Sequence, residues 1–246
     1  MNRRTFLILS TLSPLLARDF IVEDDSVYLN KSDLDILVSI KHRLSRVKKH
    51  IGYANFNFIS YDDALYFARN YSSIGKFTQT EQALIEKIFY SDPTQFGFYG
   101  ERTTQNITNK ISSKNIVKIK HSGHFVYKGK ANEDYNRIIK DVGSNLILTS
   151  GVRNVVKQLD LYASKVIKTN GNLTSASRVI APPGYSYHTV SDFDVGKKGW
   201  GFKNFTSAFA DTKEFKEIRK LNYVGIRYTK NNKDGVRFEP WHVKVI

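Results

Sequence analysis

Ser186-Tyr187-His188-Thr189-Val190-Ser191-Asp192-Phe193-Asp194-Val195-Gly196 reads as a polar loop running into a strand. Pro183-Gly184 stands just ahead of it and marks the loop. From Asp192 to Val195 acidic and apolar residues alternate. Successive strand side chains take opposite faces, so Asp192 and Asp194 share one face and Phe193 and Val195 the other. Further on, Glu239-Pro240-Trp241-His242 leads into a last strand, expected over Trp241 to Val245.

Together these stretches hold two histidines, a strand carboxylate and a separate glutamate. A catalytic zinc site takes three protein ligands and leaves a position for water, which the metal makes acidic. A free carboxylate beside it can then take up a proton and pass it on. His188, Asp194 and His242 are the candidate ligands and Glu239 the candidate base. Asp192, on the same strand face as Asp194, is a rival ligand. His42, His50, His121 and His124 have no second ligand at a diagnostic spacing and read as structural.

Working outward, the chain turns from helical to mixed near residue 105. Ser32 with Asp35 has a capping-box pattern, and Leu37, Ile40, Leu44, Val47 and Ile51 recur at helical spacing. Ser60 with Asp63 and Thr78 with Glu81 open two further helices. Beyond Gly97-Phe98-Tyr99-Gly100, Ile116–Lys120 and His124–Tyr127 form a hairpin through Ser122-Gly123. A helix is expected over Asn132–Val142, a strand over Leu146–Thr149, and a helix carrying Val155, Val156, Leu159 and Leu161. Thr206–Leu221 reads as one helix and Val224–Tyr228 as a strand, with a turn at Asn231–Gly235. The fold class is α+β: a small antiparallel sheet with flanking helices, preceded by a helical N-terminal region.

The 246 residues suffice for a sizeable core, and 41% hydrophobic content is that of an ordinary globular chain. Cysteine is absent, which excludes disulfides, thiolate metal sites and a cysteine nucleophile. The net charge of +15 would favour an anionic partner, yet the Lys and Arg residues are spread along the chain. No nucleic-acid reading motif is present, and nucleic acid is not the expected partner. Met1-Asn2-Arg3-Arg4 followed by an apolar run from Thr5 to Leu16 reads as an export signal, with Ala17 before the cut. Arg3-Arg4-Thr5-Phe6-Leu7 has a twin-arginine form. The chain is thus expected outside the cytoplasm, periplasmic or otherwise, with membrane association only if the signal stays uncleaved. Three parts follow: a signal peptide over 1–17, a helical region over 18–105 and a catalytic domain over 106–246.

Ser186-x-His188, Asp194-Val195-Gly196 and Glu239-Pro240-Trp241-His242 resemble the D-alanyl-D-alanine carboxypeptidase family of zinc peptidases. Ser150-Gly151-Val152-Arg153 with Gln158 is similar to another element of that family. The resemblance spans roughly residues 110 to 246. It departs at one point: five residues separate His188 from Asp194 where the family has six, with Ser191 and Asp192 in place of a glycine and its neighbour. The resemblance implies zinc held by His188, Asp194 and His242, with Glu239 as base. Arg153 would stabilise the scissile carbonyl oxygen or a terminal carboxylate, and Ser186 and Gln158 would bind substrate. The implied activity is hydrolysis of peptidoglycan stem peptides, foremost as a D-alanyl-D-alanine carboxypeptidase. A peptidoglycan endopeptidase, an L,D-carboxypeptidase and a non-catalytic wall-binding protein on a degenerate fold are the alternatives.

Overall fold

The computed structural model describes residues 20–245, so the expected signal over 1–17 lies outside the described residues. A short hairpin comes first, β1 (Ile21–Glu23) with β2 (Ser26–Tyr28). Four helices follow: α1 (Lys31–Ile51), α2 (Tyr53–Phe56), α3 (Tyr61–Asn70) and α4 (Gln79–Tyr90). The spacing of Leu37, Ile40, Leu44 and Val47 does its expected work, since all four are buried on one face of α1. Thr78 and Glu81 close a capping box at α4, and Ser60 caps α3. The cap of α1 is Asn30 rather than Ser32. Its side-chain oxygen accepts the N–H of Asp33, and asparagine is among the strongest capping residues, so the helix begins earlier than the Ser32 pattern suggests.

The C-terminal half holds a second hairpin, β3 (Ile116–Lys118) with β4 (Phe125–Tyr127), then α5 (Lys130–Val142) and β5 (Leu146–Ser150). Next come α6 (Val155–Lys168), α7 (Leu173–Ser177), β6 (Phe193–Lys197), α8 (Lys213–Ile218), β7 (Gly225–Ile226) and β8 (His242–Lys244). The mixed α+β class expected from the sequence is what is found. The strand expected over Val224–Tyr228 shortens to β7. The single helix expected over Thr206–Leu221 is broken into a 3-10 turn over Ser207–Asp211 and α8. Phe209 and Phe215 both enter the core and meet edge-on. Six residues apart on one helix they would sit about 240° round the axis, on different faces. Thr212 resolves this by donating to the Phe209 carbonyl and accepting the N–H of Phe215, which starts a new helix at that point.

The main sheet has the order β5-β6-β8-β7, all antiparallel. Leu146, Leu148, Phe193, Val195 and Val243 bury its apolar face with Ile138 of α5 and Ile218 of α8. Each such side chain contributes about 1.5–3 kcal/mol when fully buried. Across the sheet Ser150 faces Asp194, and Asp194 faces His242. Direct cross-strand partners share a face, so this register sets three polar side chains in a row. The helical N-terminal region is not a separate body. Its buried residues form one core with Val155, Val156, Leu159, Tyr162, Ala163 and Val166 of α6, the helix that starts just after Arg153. No described helix is long and apolar enough to cross a membrane.

Candidate metal centre

Two glycines let the chain close around the polar face of the sheet. A Cβ on Gly151 would stand 1.9 Å from the Phe125 carbonyl oxygen. Glycine there lets Val152 donate to that carbonyl at 2.7 Å and bind the hairpin to the site. A Cβ on Gly196 would lie 2.6 Å from both Asn204 and Thr149, so the residue after Asp194-Val195 must be small.

His188 follows the loop in a short 3-10 turn and is buried. Its Nδ1 lies 3.0 Å from the Gly151 carbonyl, which can only accept, so Nδ1 carries the hydrogen. Nε2 is left with its lone pair, 3.3 Å from Asp194. His242 is arranged the other way round. Its Nε2 donates to Asp192 at 3.2 Å, and Nδ1 faces Asp194 at 3.5 Å and Glu239 at 3.4 Å. Each imidazole is thus pinned by its far nitrogen and aims the near one at Asp194.

The geometry separates the two aspartates. Asp192 is taken up by Arg227, which binds it through Nε at 2.7 Å and Nη2 at 3.0 Å, and by the N–H of Val245 at 3.0 Å. It stands behind His242, not with the ligand atoms, and the rival reading of Asp192 as a ligand gives way to an orienting one. The shorter loop does not displace Asp194, which stays in β6 between the two histidines.

Ligand atoms of His188, Asp194 and His242 all lie within 4.8 Å of one another. Two imidazole nitrogens and one carboxylate make a zinc donor set with room for a water. Asp194 Oδ1 is buried with no hydrogen-bond partner, an arrangement that costs free energy unless a cation satisfies it. The zinc expected from the sequence therefore fits these residues. Burial would raise the Asp194 pKa, but His188, His242 and Arg153 together hold it down to about 2. Burial and the nearby Arg153 charge push His188 down to about 4, so it is neutral and ready to bind metal.

Arg153 lies across the site. Its Nη1 donates to Gln158 at 3.1 Å, and its Nη2 donates to Ser150 at 2.9 Å and Asp194 at 3.4 Å. Gln158 spends both ends of its carboxamide, one on Arg153 and one on the Ala181 carbonyl, so it holds the guanidinium in place. The Ser186 side chain is buried beside His188, with no hydrogen bond of its own among the described residues. Glu239 sits in the turn before β8 with its backbone N–H on the Tyr228 carbonyl, and burial raises its pKa. The sequence therefore brings together His188, Asp194, His242, Glu239, Arg153, Gln158 and Ser186. Arg227 and Tyr228 were missed; Tyr228 packs edge-on against His242 at 4.9 Å. No spacing in the chain marks either residue.

Residues 127–246 match the family model VanY, D-alanyl-D-alanine carboxypeptidase. Over that stretch, just under half of the chain, the sequence is similar to that family. The match supports a peptidase domain, and His188, Asp194 and His242 form a group that could hold its metal ion. No curated relative matches the chain. Among solved structures, the LdcB LD-carboxypeptidase is 23% identical at a TM-score of 0.47, over 55% of this chain and 70% of that one. The vancomycin-resistance D,D-dipeptidase VanXYg, with a phosphinate analogue of D-Ala-D-Ala, is 18% identical at 0.47, over 60% and 59%. A mutant of the D,D-pentapeptidase VanY with Zn(II) is 17% identical at 0.41, over 60% and 85%.

A pH prediction follows for the metal-free protein. Burial would lower the His242 pKa, but hydrogen bonds to Asp192 and Glu239 and the Asp194 charge raise it to about 9. Because the folded value exceeds the unfolded one of about 6.5, the stabilisation is complete below pH ~6.5 and is lost as pH rises through 9. Burial holds Lys157 down to about 8, which gives an opposite trend at higher pH. The difference in urea-unfolding stability between wild type and His242→Gln isolates the histidine. It should shrink by on the order of 3 kcal/mol between pH 6 and pH 9.5; a flat difference would contradict this arrangement of His242.

Proposed function

We propose that the chain is an exported zinc peptidase that removes the terminal D-alanine from peptidoglycan stem peptides. The observation that carries this reading is the convergence of three candidate ligands, a carboxylate base and a guanidinium around Asp194 and His242. The family match over residues 127–246 supports a peptidase acting on such peptides. When bound, zinc would supply Lewis acidity, acidifying a water and polarising the scissile carbonyl. Glu239 takes the proton from the attacking water as its oxygen bonds to the carbonyl carbon. It then delivers that proton to the amide nitrogen as the C–N bond breaks and D-alanine leaves. Its raised pKa suits a group that must hold a proton briefly. Arg153, fixed by Gln158 and Ser150, presents donors to developing negative charge without reorganising. The Ser186 hydroxyl hydrogen-bonds the substrate. Export rests on the N-terminal sequence, and the +15 charge would hold the enzyme near an anionic wall.

The test is digestion of purified muropeptides with and without a chelator, with products read by mass. Loss of one D-alanine from pentapeptides, abolished by the chelator and restored by zinc, is the expected result. Loss of the tetrapeptide's terminal residue instead would point to L,D specificity, and cleaved cross-links to an endopeptidase. Unchanged substrate together with no stoichiometric zinc would sink the reading altogether.

A further inference from the structure

Phe202 is the most exposed large apolar side chain among the described residues, with 77% of its surface open. It lies in the loop after β6, and that loop is held firmly. The buried Asn204 side chain accepts the N–H of Lys197 at 2.8 Å and donates to the Lys197 carbonyl at 3.1 Å. Gly199 and Gly201 take positive φ, 78° and 52°, which turns the chain sharply on both sides of Trp200. A Cβ on either glycine would meet nothing within 4 Å, so the turn projects into open space. Half-buried Phe205 lies 6.4 Å from the Phe202 ring, and Trp200 sits under the Lys197 ammonium at 5.3 Å.

A single exposed ring needs no explanation by itself; its surroundings supply one. From Val195 to Ala210 the chain has three lysines and no acid. Lys198 and Lys203 flank Phe202, and both are exposed. Arg237 donates to the Phe205 carbonyl at 3.0 Å, and its own N–H bonds the Arg178 carbonyl at 2.9 Å. Two more exposed cations therefore adjoin the loop. Among the described residues none of these four is in an ion pair, while Lys197 reaches inward to Glu214 at 3.8 Å.

An apolar tip among unpaired cations is complementary to an apolar layer beneath negative charge. Aromatic rings settle at the headgroup level of a bilayer, and Lys and Arg reach from there to the phosphates. A single-stranded nucleic acid is held differently, along a basic groove with rings for its bases. Here the ring stands on a projecting turn.

We infer that loop 198–203 is a membrane-docking site that inserts Phe202 between anionic lipid headgroups. It acts whether or not the N-terminal signal is cleaved, and independently of the peptidase reading. Docking leaves the metal centre clear of the bilayer, because Asp194 precedes Lys197 on β6 by three positions, about 10 Å along the strand.

The experiment mixes the full chain with vesicles of phosphatidylcholine alone or of phosphatidylcholine with phosphatidylglycerol. Both carry lipids brominated near the carbonyl, which quench tryptophan on contact. The chain has two tryptophans, and Trp241 is buried, so quenching reports Trp200 whatever the N-terminal segment does. Mixed vesicles should quench, neutral ones far less, and the effect should fall as salt screens the lysines. Phe202→Ser should weaken binding about tenfold. Lys198→Gln with Lys203→Gln should weaken it about 25-fold, about fivefold for each cation. Both variants change exposed side chains and should keep the wild-type melting temperature, so lost binding is not lost folding. No quenching by mixed vesicles, equal quenching by neutral ones, or undiminished quenching in Phe202→Ser overturns the proposal. Retention on DNA or on purified sacculi that needs these lysines, without vesicle quenching, would assign the loop to a polymer and overturn it likewise.

Discussion

Glu239→Gln should lower turnover of a D-Ala-D-Ala-terminated peptide by about 10³, within the usual range for loss of a general base, while zinc content stays at one per chain. Glu239 is buried, and its carboxylate approaches the His242 ring at 3.4 Å from outside the ligand group. Glutamine keeps the shape and an acceptor oxygen but cannot carry a proton from water to amine. The loss should therefore fall on kcat, with KM little changed. Because burial raises the Glu239 pKa, the wild-type rate should climb with pH through a value above the ordinary carboxylate range near 4.3. That acid limb should vanish in the variant. D-alanine release and metal content, measured on the same preparation, check both halves. Activity within tenfold of wild type would remove Glu239 from the chemistry, and lost zinc would make it a ligand instead.

The sequence was legible wherever one local rule decided the outcome. Alternation from Asp192 to Val195 put Phe193 and Val195 in the core and left Asp194 on the polar face. Helical spacing in α1 and the capping box of α4 were readable for the same reason. Reading failed where partners lie far apart along the chain. Asp192 and Asp194 share a strand face by simple alternation, and only their surroundings divide their roles. Arg227, 35 positions away, claims Asp192 through two hydrogen bonds. A one-residue deletion in the His188–Asp194 loop looked threatening because a slip in register reverses every side chain. The loop absorbs it before β6 begins, and Asp194 still faces His242 across the sheet. Likewise, helical pattern alone could not show that α6 shares a core with the N-terminal helices.

Asp192→Asn should weaken zinc binding by about 10- to 100-fold, the usual cost of losing the partner behind a metal-binding histidine. It should also destabilise the fold by about 3 kcal/mol, because Arg227 is left without its buried counter-charge. Asp192 is fully enclosed and touches three groups at once: the Arg227 fork, the Val245 N–H and Nε2 of His242. Asparagine can still serve one or two of these, but it brings no negative charge. The two effects come from different partners and can be separated. In Asp192→Asn combined with Arg227→Met, both members of the ion pair are gone, and removing a buried pair together is often close to neutral for stability. Unfolding in urea should then return most of the way to wild type. His242 remains without a charged anchor, so competition with a chromophoric chelator should still show weak zinc binding. If the double variant recovers zinc affinity along with stability, Asp192 serves the fold and not the metal centre. If affinity stays low in a stable protein, the carboxylate that resembled a rival ligand is what aims His242 Nδ1 at the metal.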